Sequence, residues 1–205
     1  MAVVLKPRGW EVDGKGSAAN DCELLSRYMQ NLYPKAQFPL IHASDFDHGF
    51  IHRLDIPSSG LILTGTSFEG LYWIRWQLNV YFINREYYVV CQGLPLATLQ
   101  HIDLPIDVRT HRLGSHRSLT SDQGGPAETW LRTSAHLHTI PSQDSLAPVC
   151  IRIRTGRKHQ IRTHLRSAGH PSIADGMYTI FDICMVRLAP FEAGYLRAGC
   201  PGHHV

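Results

Sequence analysis

Three kinds of side chain in this sequence can do chemistry. Asp55 stands in the polar run Ile51-His52-Arg53-Leu54-Asp55-Ile56-Pro57-Ser58-Ser59-Gly60, just ahead of an apolar stretch. A carboxylate is anionic at neutral pH and can act as a nucleophile or charge stabiliser. An aspartate in such a run is equally a turn-former or an ion-pair partner. Tyr87 and Tyr88 each offer a phenol that can move a proton and a face that can stack on a planar base. The third group is a basic strip. Between Cys150 and Ala174 lie Arg152, Arg154, Arg157, Lys158, Arg162 and Arg166, with no acidic residue, although the whole chain is only +3 from 20 Lys+Arg against 17 Asp+Glu. A solvated surface usually mixes both signs, whereas a strip of one sign suits phosphates. Taken alone, Arg162 reads as a phosphate contact.

Thirteen histidines raise the question of a metal. His159 and His164 are five residues apart, not the four that put two ligands on one helix face, and neither HExxH nor a Cys/His cluster occurs. No metal is expected. Five cysteines (Cys22, Cys91, Cys150, Cys184, Cys200) include no CxxC pair, which argues against a disulfide framework or zinc ribbon. Reduced thiols in an intracellular setting, cytoplasmic or organellar, are expected.

The elements that must position these groups follow from periodicity. Ala2 to Leu5 predicts a strand closed by the Lys6-Pro7-Arg8-Gly9 turn. Leu24, Leu25, Tyr28, Met29 and Leu32 predict a helix over 20–32, capped by Asn20 or Asp21. Gly60 to Thr64 reads as a buried strand, followed by a capping box at Thr66-Ser67-Phe68-Glu69 and a helix to about Leu78. Tyr87 to Cys91 predicts a second central strand, 93–125 a long loop, Ala127 to Thr133 a short strand and 134–148 a loop. Val149, Ile151 and Ile153 alternate with Cys150, Arg152 and Arg154, a strand with one apolar and one basic face. Thr155-Gly156 then turns into a helix that buries Ile161, Leu165 and Ala168 and ends at Gly169 and Pro171. His159, Arg162 and Arg166 share a different face, so a strand feeds a helix with a cationic N-terminus, a ready anion site. A chain of 205 residues buries a sizeable core unaided, no apolar run reaches the roughly 18 residues of a membrane helix, and the opening is too short for a secretory signal.

His52-Arg53-Leu54-Asp55 with Ser58-Ser59-Gly60, together with Thr155-Gly156-Arg157-Lys158-His159-Gln160-Ile161-Arg162, resembles the RluA-type family of pseudouridine synthases. In that family HRLD, a hydroxyl pair and glycine carry the catalytic aspartate, and a TGRxHQIR segment follows downstream; Asp55 and Arg162 are 107 residues apart. Val3 to Gly9 resembles the family's opening strand and KPxG turn. Arg85-Glu86-Tyr87 resembles its basic-x-Tyr strand, Ala127 to Trp130 its A-x-T-x-aromatic strand, and Gly169-His170-Pro171 its GHP turn. The resemblance covers about residues 2–178. Ser58 stands where the family usually has threonine, Ala174 to Tyr178 matches a GD-x-x-Y-G segment only in part, and Ile183 to Val205 has no clear equivalent. Residues 1–178 are therefore expected to form the catalytic domain and 179–205 a diverged or shortened C-terminal segment. No S4-like appendage is expected ahead of the first strand.

The resemblance implies an α+β fold, a mixed and mainly antiparallel sheet with flanking helices around a catalytic cleft. It implies isomerisation of a specific uridine to pseudouridine in structured ribosomal, transfer or messenger RNA, a reaction that needs no cofactor. Asp55 is then the nucleophile, Arg162 its cationic partner, and Tyr87 the group that stacks on uracil and helps move its proton. Tyr88, on the opposite side of the strand, is expected in the core. His52 and Arg53 brace the Asp55 loop or touch RNA, and Arg152, Arg154, Arg157, Lys158, His159 and Arg166 contact RNA. No membrane or metal partner is expected, and a monomer is. The alternative is a catalytically impaired RNA-binding relative, against which the intact Asp55, Tyr87 and Arg162 weigh.

Overall fold

The computed structural model describes residues 1–14, 23–108, 117–138, 144–173 and 175–178. The chain divides into two compact units, Met1–Arg85 and Glu86–Val205.

In the first unit, β1 (Ala2–Lys6) pairs antiparallel with β2 (Gly60–Thr64), in a register that sets Val4 opposite Ile62 and Lys6 opposite Gly60. Strand alternation leaves β2 buried on one face only: Ile62 and Thr64 are fully inside, while Leu61 is 66% exposed beside the exposed Leu5. The expectation of a buried strand is thus corrected to a half-buried one. Helix α1 (Leu25–Leu32) buries Leu25 and Met29, and leaves Tyr28 and Leu32 exposed. The expected caps Asn20 and Asp21 lie outside the described residues, and the observed N-cap is Leu24.

Helix α2 (Phe68–Asn79) starts one residue later than the capping box suggests. Ser67, not Thr66, is the cap, its hydroxyl accepting the Gly70 N–H at 3.2 Å, and Thr66 Oγ1 instead accepts from the N-terminal amine. Two glycines allow the chain before the Asp55 loop to press against the β2–α2 turn. Gly65 N–H donates to Gly49 O at 2.8 Å. A Cβ on Gly49, at φ +83°, would meet Gly65 O at 2.3 Å, and one on Gly65 would meet the Leu71 backbone at 2.7–2.8 Å.

In the second unit a sheet runs β3 (Arg85–Gln92), β9 (Ser145–Ile153), β7 (Glu128–Thr133), β4 (His101–Asp103), with β8 (Leu137–His138) also on β9. The β4–β7, β7–β9 and β8–β9 pairs are antiparallel, as is the separate pair β5 (Ile106–Asp107) with β6 (Leu119–Thr120). The class is α+β. The strand over 87–91, expected to be central, stands at one end of this order, and backbone bonds from Gln92 and Ile173 tie the 171–173 segment to it. The expected loops are broken by short strands, because β4 pairs with β7 and β8 with the early part of β9. Strand β9 begins at Ser145 rather than Val149. Pro148, which has no N–H to donate, falls between the residues of β9 that pair with β8 and those that pair with β7.

Val149 and Ile151 of β9 are completely buried, and Leu165 of α3 (Gln160–Ser167) joins them with Cys91, Ile102, Leu131 and Ala147 in one core. Each such aliphatic side chain contributes about 1.5–3 kcal/mol by leaving water. Ile161 and Ala168 pack against that core, as the helix periodicity predicts. Among the described residues no helix is long and apolar enough to cross a membrane.

Candidate active site

Asp55 is half-buried in a loop of the first unit that is fastened from several sides. Ile56 O accepts the Gly9 N–H at 2.8 Å and lies 3.4 Å from Lys6 Nζ, so the KPxG turn holds the residue next to Asp55. Lys6 is fully buried and also donates to Pro7 O and Trp10 O, at 3.0 and 2.7 Å. Asp55 O accepts the Ser58 N–H at 3.0 Å, and Leu54 is buried. His52 Nε2 accepts the Leu63 N–H of β2 at 3.2 Å, which places the imidazole proton on Nδ1. That nitrogen is buried without a hydrogen-bond partner among the described residues. Burial, reinforced by the Arg85 charge, pushes His52 from its ordinary 6.5 down to about 4, so the ring is neutral. Arg53 reaches back to Glu11 at 3.6 Å and Asp13 at 3.5 Å. Of the two roles expected for His52 and Arg53, these contacts belong to bracing.

The remaining expected site residues belong to the second unit. Tyr87 faces the core side of β3 with Val89, half-buried. Tyr88 is 80% exposed, which corrects its expected place in the core: alternation can bury only one of two successive residues here, and the buried side is that of Tyr87.

The turn into α3 is built by Gln160, which is buried and makes four hydrogen bonds. Its Oε1 accepts from the Thr155 hydroxyl and the Arg157 N–H at 2.8 and 3.0 Å; its Nε2 donates to Glu128 O and Thr129 Oγ1 at 2.9 and 3.1 Å. His164, fully buried, continues the chain with Nδ1 2.9 Å from Thr129 Oγ1 and Nε2 2.9 Å from Leu104 O. A carbonyl only accepts, so Nε2 carries the proton and the Thr129 hydroxyl donates to Nδ1. Burial pushes His164 below its ordinary range, against the opposing pull of Leu104 O and Asp103. These bonds lock α3, and with it Arg162, onto β7.

Within the second unit Arg162 meets Asp175, Nε to Oδ2 at 2.6 Å and Nη2 to Oδ1 at 2.5 Å, and stacks on the Tyr178 ring at 4.7 Å. Burial raises the Asp175 carboxyl, but the Arg162 hydrogen bonds and charge, with Met177 N–H and the Ser172 hydroxyl, hold it below its ordinary value.

The basic strip is less uniformly free than its composition indicates. Arg152 pairs with Glu86 at 2.7 Å, Arg154 lies 3.7 Å from Glu128, and Arg157 Nε donates to Pro126 O at 3.0 Å. His159, in the left-handed region at φ +54°, places Nδ1 3.0 Å from the Tyr178 hydroxyl. Lys158 and Arg166 are exposed and have no ion pair among the described residues. Lys6, Gln160, His164, Asp175 and Tyr178 escape a reading of the motifs for chemistry alone. Their signals are present as the KPxG turn, the HQIR segment and the partial GD-x-x-Y-G match. Among the described residues no group of three or more His, Cys, Asp or Glu could hold a metal ion.

Asp55 in its HRLD loop, Tyr87 on β3 and Arg162 on α3 all fall inside residues 1–167, which match the family model for RNA pseudouridylate synthase; the chain belongs to that family. It is 27% identical over 189 residues to the ribosomal large subunit pseudouridine synthase C of Buchnera aphidicola subsp. Schizaphis graminum, covering 91% of this chain and 54% of that protein. It is 30% identical over 131 residues to the ribosomal large subunit pseudouridine synthase D of Zymomonas mobilis, covering 63% and 39%. The chain thus spans about half the length, or less, of these curated relatives. Human RNA Pseudouridylate Synthase Domain Containing 1 shares the fold, with a TM-score of 0.66 at 20% identity over 92% of this chain and 70% of that one.

Proposed function

We propose that this protein is an RNA pseudouridine synthase that isomerises a specific uridine in structured RNA, without a cofactor and as a monomer in an intracellular compartment. The observation that carries the reading is the family match over residues 1–167, within which Asp55, Tyr87 and Arg162 all stand. The catalytic domain is taken as residues 1–178.

The reaction breaks the bond from ribose C1′ to uracil N1, turns the base and rejoins it to C1′ through C5, whose proton is lost while N1 gains one. Asp55 is assigned the nucleophile or charge stabiliser, and its loop, held by Lys6, Gly9 and His52, sets its direction. Arg162 is assigned as its cationic partner, because a guanidinium stays charged at any working pH and meets carboxylates through two nitrogens. Tyr87 is assigned to stack on the detached uracil and to assist removal of the C5 proton. A uridine in folded RNA must leave its stack, at a cost of a few kcal/mol, and phosphate contacts from the basic strip offset it.

The names of the bacterial relatives make large-subunit ribosomal RNA the first substrate to test, followed by transfer and messenger RNA. The test is chemical mapping of pseudouridine in candidate RNAs incubated with wild-type protein or Asp55→Asn. Conversion of one uridine by the wild type and none by the variant is expected. Comparable conversion by Asp55→Asn overturns the assignment of Asp55. A wild type that binds RNA tightly yet converts nothing overturns the enzyme.

A further inference from the structure

An arginine that has to hold a reacting carboxylate must present its guanidinium in one direction, whereas a long side chain on a helix surface samples many rotamers. Two contacts on Arg162 remove that freedom. Asp175 grips one edge of the guanidinium plane at two points, Nε and Nη2, and the Tyr178 ring covers its face at 4.7 Å. An edge contact and a face contact together fix both the position and the rotation of a planar group.

The two partners are themselves immobilised. Asp175 Oδ1 accepts the Met177 and Tyr178 N–H groups at 3.2 and 3.3 Å, and Oδ2 accepts the Ser172 hydroxyl at 3.1 Å. Tyr178 is 2% exposed, and its hydroxyl accepts the Ser118 N–H at 2.7 Å. With side chains 17% and 7% exposed, the Arg162–Asp175 pair is not the mobile surface ion pair that contributes little.

We propose that Asp175 and Tyr178 are positioning residues of the reaction: they clamp Arg162 by edge and by face, and so fix the direction in which its guanidinium is presented. The proposal rests on the assignment of Arg162 and Asp55 above. Neither Asp175 nor Tyr178 touches the substrate in this scheme.

The test uses an RNA that the wild type converts, with single-turnover rates, RNA binding isotherms and melting temperatures for each variant. Asp175→Asn and Tyr178→Leu are expected to slow conversion about 10- to 100-fold, the scale of a misplaced catalytic group, with RNA affinity within about threefold of wild type. Tyr178→Phe keeps the ring and is expected to recover most of the rate lost in Tyr178→Leu. Adding Asp175→Asn to Arg162→Lys is expected to cost little beyond Arg162→Lys alone, since both act through one guanidinium.

A folded Asp175→Asn with the wild-type rate overturns the proposal. So does a double variant whose losses multiply, or a loss of RNA affinity as large as the loss of rate. If Asp175→Asn does not fold, the contrast between Tyr178→Phe and Tyr178→Leu decides, equal losses overturning the face contact. Solvent protection of the Arg162 Nε–H, read by NMR on RNA-free protein, is expected in wild type and absent in Asp175→Asn. A wild type that converts no RNA defeats the proposed function itself. An unprotected Nε–H in an active wild type defeats only the clamp.

Discussion

His52 lies three residues before Asp55 and is neutral because burial, with Arg85 adding to it, holds its pKa near 4. A depressed histidine binds its proton less readily folded than unfolded, so it contributes stability above the unfolded value of 6.5 that is lost as pH falls toward 4. His164, also depressed by burial, acts in the same direction. Between pH 7 and pH 5 the His52 share of the loss is about 1–2 kcal/mol, the partly exposed ring discounted for solvent screening. Thermal melts across that range check this. The wild-type melting temperature is expected to fall as pH drops, and His52→Asn, which keeps an acceptor for Leu63 N–H but cannot titrate, is expected to give a shallower curve. An identical slope in the variant removes His52 from the account. At Tyr87 the question is chemical rather than thermodynamic. Tyr87→Phe keeps the stacking face and loses the hydroxyl, so RNA affinity is expected to stay within about threefold while the single-turnover rate falls at least tenfold. Normal turnover by this variant would falsify the proton-transfer role.

Helix α3 depends on Gln160 more than on its own propensity, since one buried amide joins the Thr155–Arg157 turn to Glu128 and Thr129 of β7. Gln160→Leu leaves those groups inside without partners and is expected to cost about 2–4 kcal/mol, read as a lower urea midpoint at unchanged slope. A loss below about 0.5 kcal/mol would mean that water replaces the amide. Much at this scale is legible in the sequence. Alternation over Val149–Ile153 and the Ile161, Leu165, Ala168 spacing both record burial on one face, and both elements form, the strand starting four residues earlier, at Ser145. Strand periodicity overstates the burial of Tyr88 and Leu61 and the centrality of the 87–91 strand, because it reports which residues share a face without reporting how many strands or layers cover it.

Across the molecule, charge is redistributed by partners far away in sequence. Six basic residues in one acid-free stretch suggest a continuous cationic face, yet Glu86 neutralises Arg152 from 66 residues away and Glu128 lies against Arg154. Lys158 and Arg166 are therefore expected to dominate the proposed RNA electrostatics. Lys158→Ala and Arg166→Ala should each lower the slope of log affinity against log salt by about 1. Arg152→Ala should lower it less, and equal slopes for all three would place Arg152 on a phosphate instead. The sequence by itself determined the family motifs, the loop that carries Asp55, the strands and helices that bear Tyr87 and Arg162, and the absence of a metal-ligand pattern. These are local properties, written in residue type and spacing over a few turns of chain. Only the tertiary structure decided that Arg162 is gripped by Asp175 and Tyr178, that Lys6 reaches Ile56, and which basic residues are already paired. Those outcomes depend on groups that meet only after the chain has closed over 13 to 66 residues, beyond the few turns across which periodicity carries information.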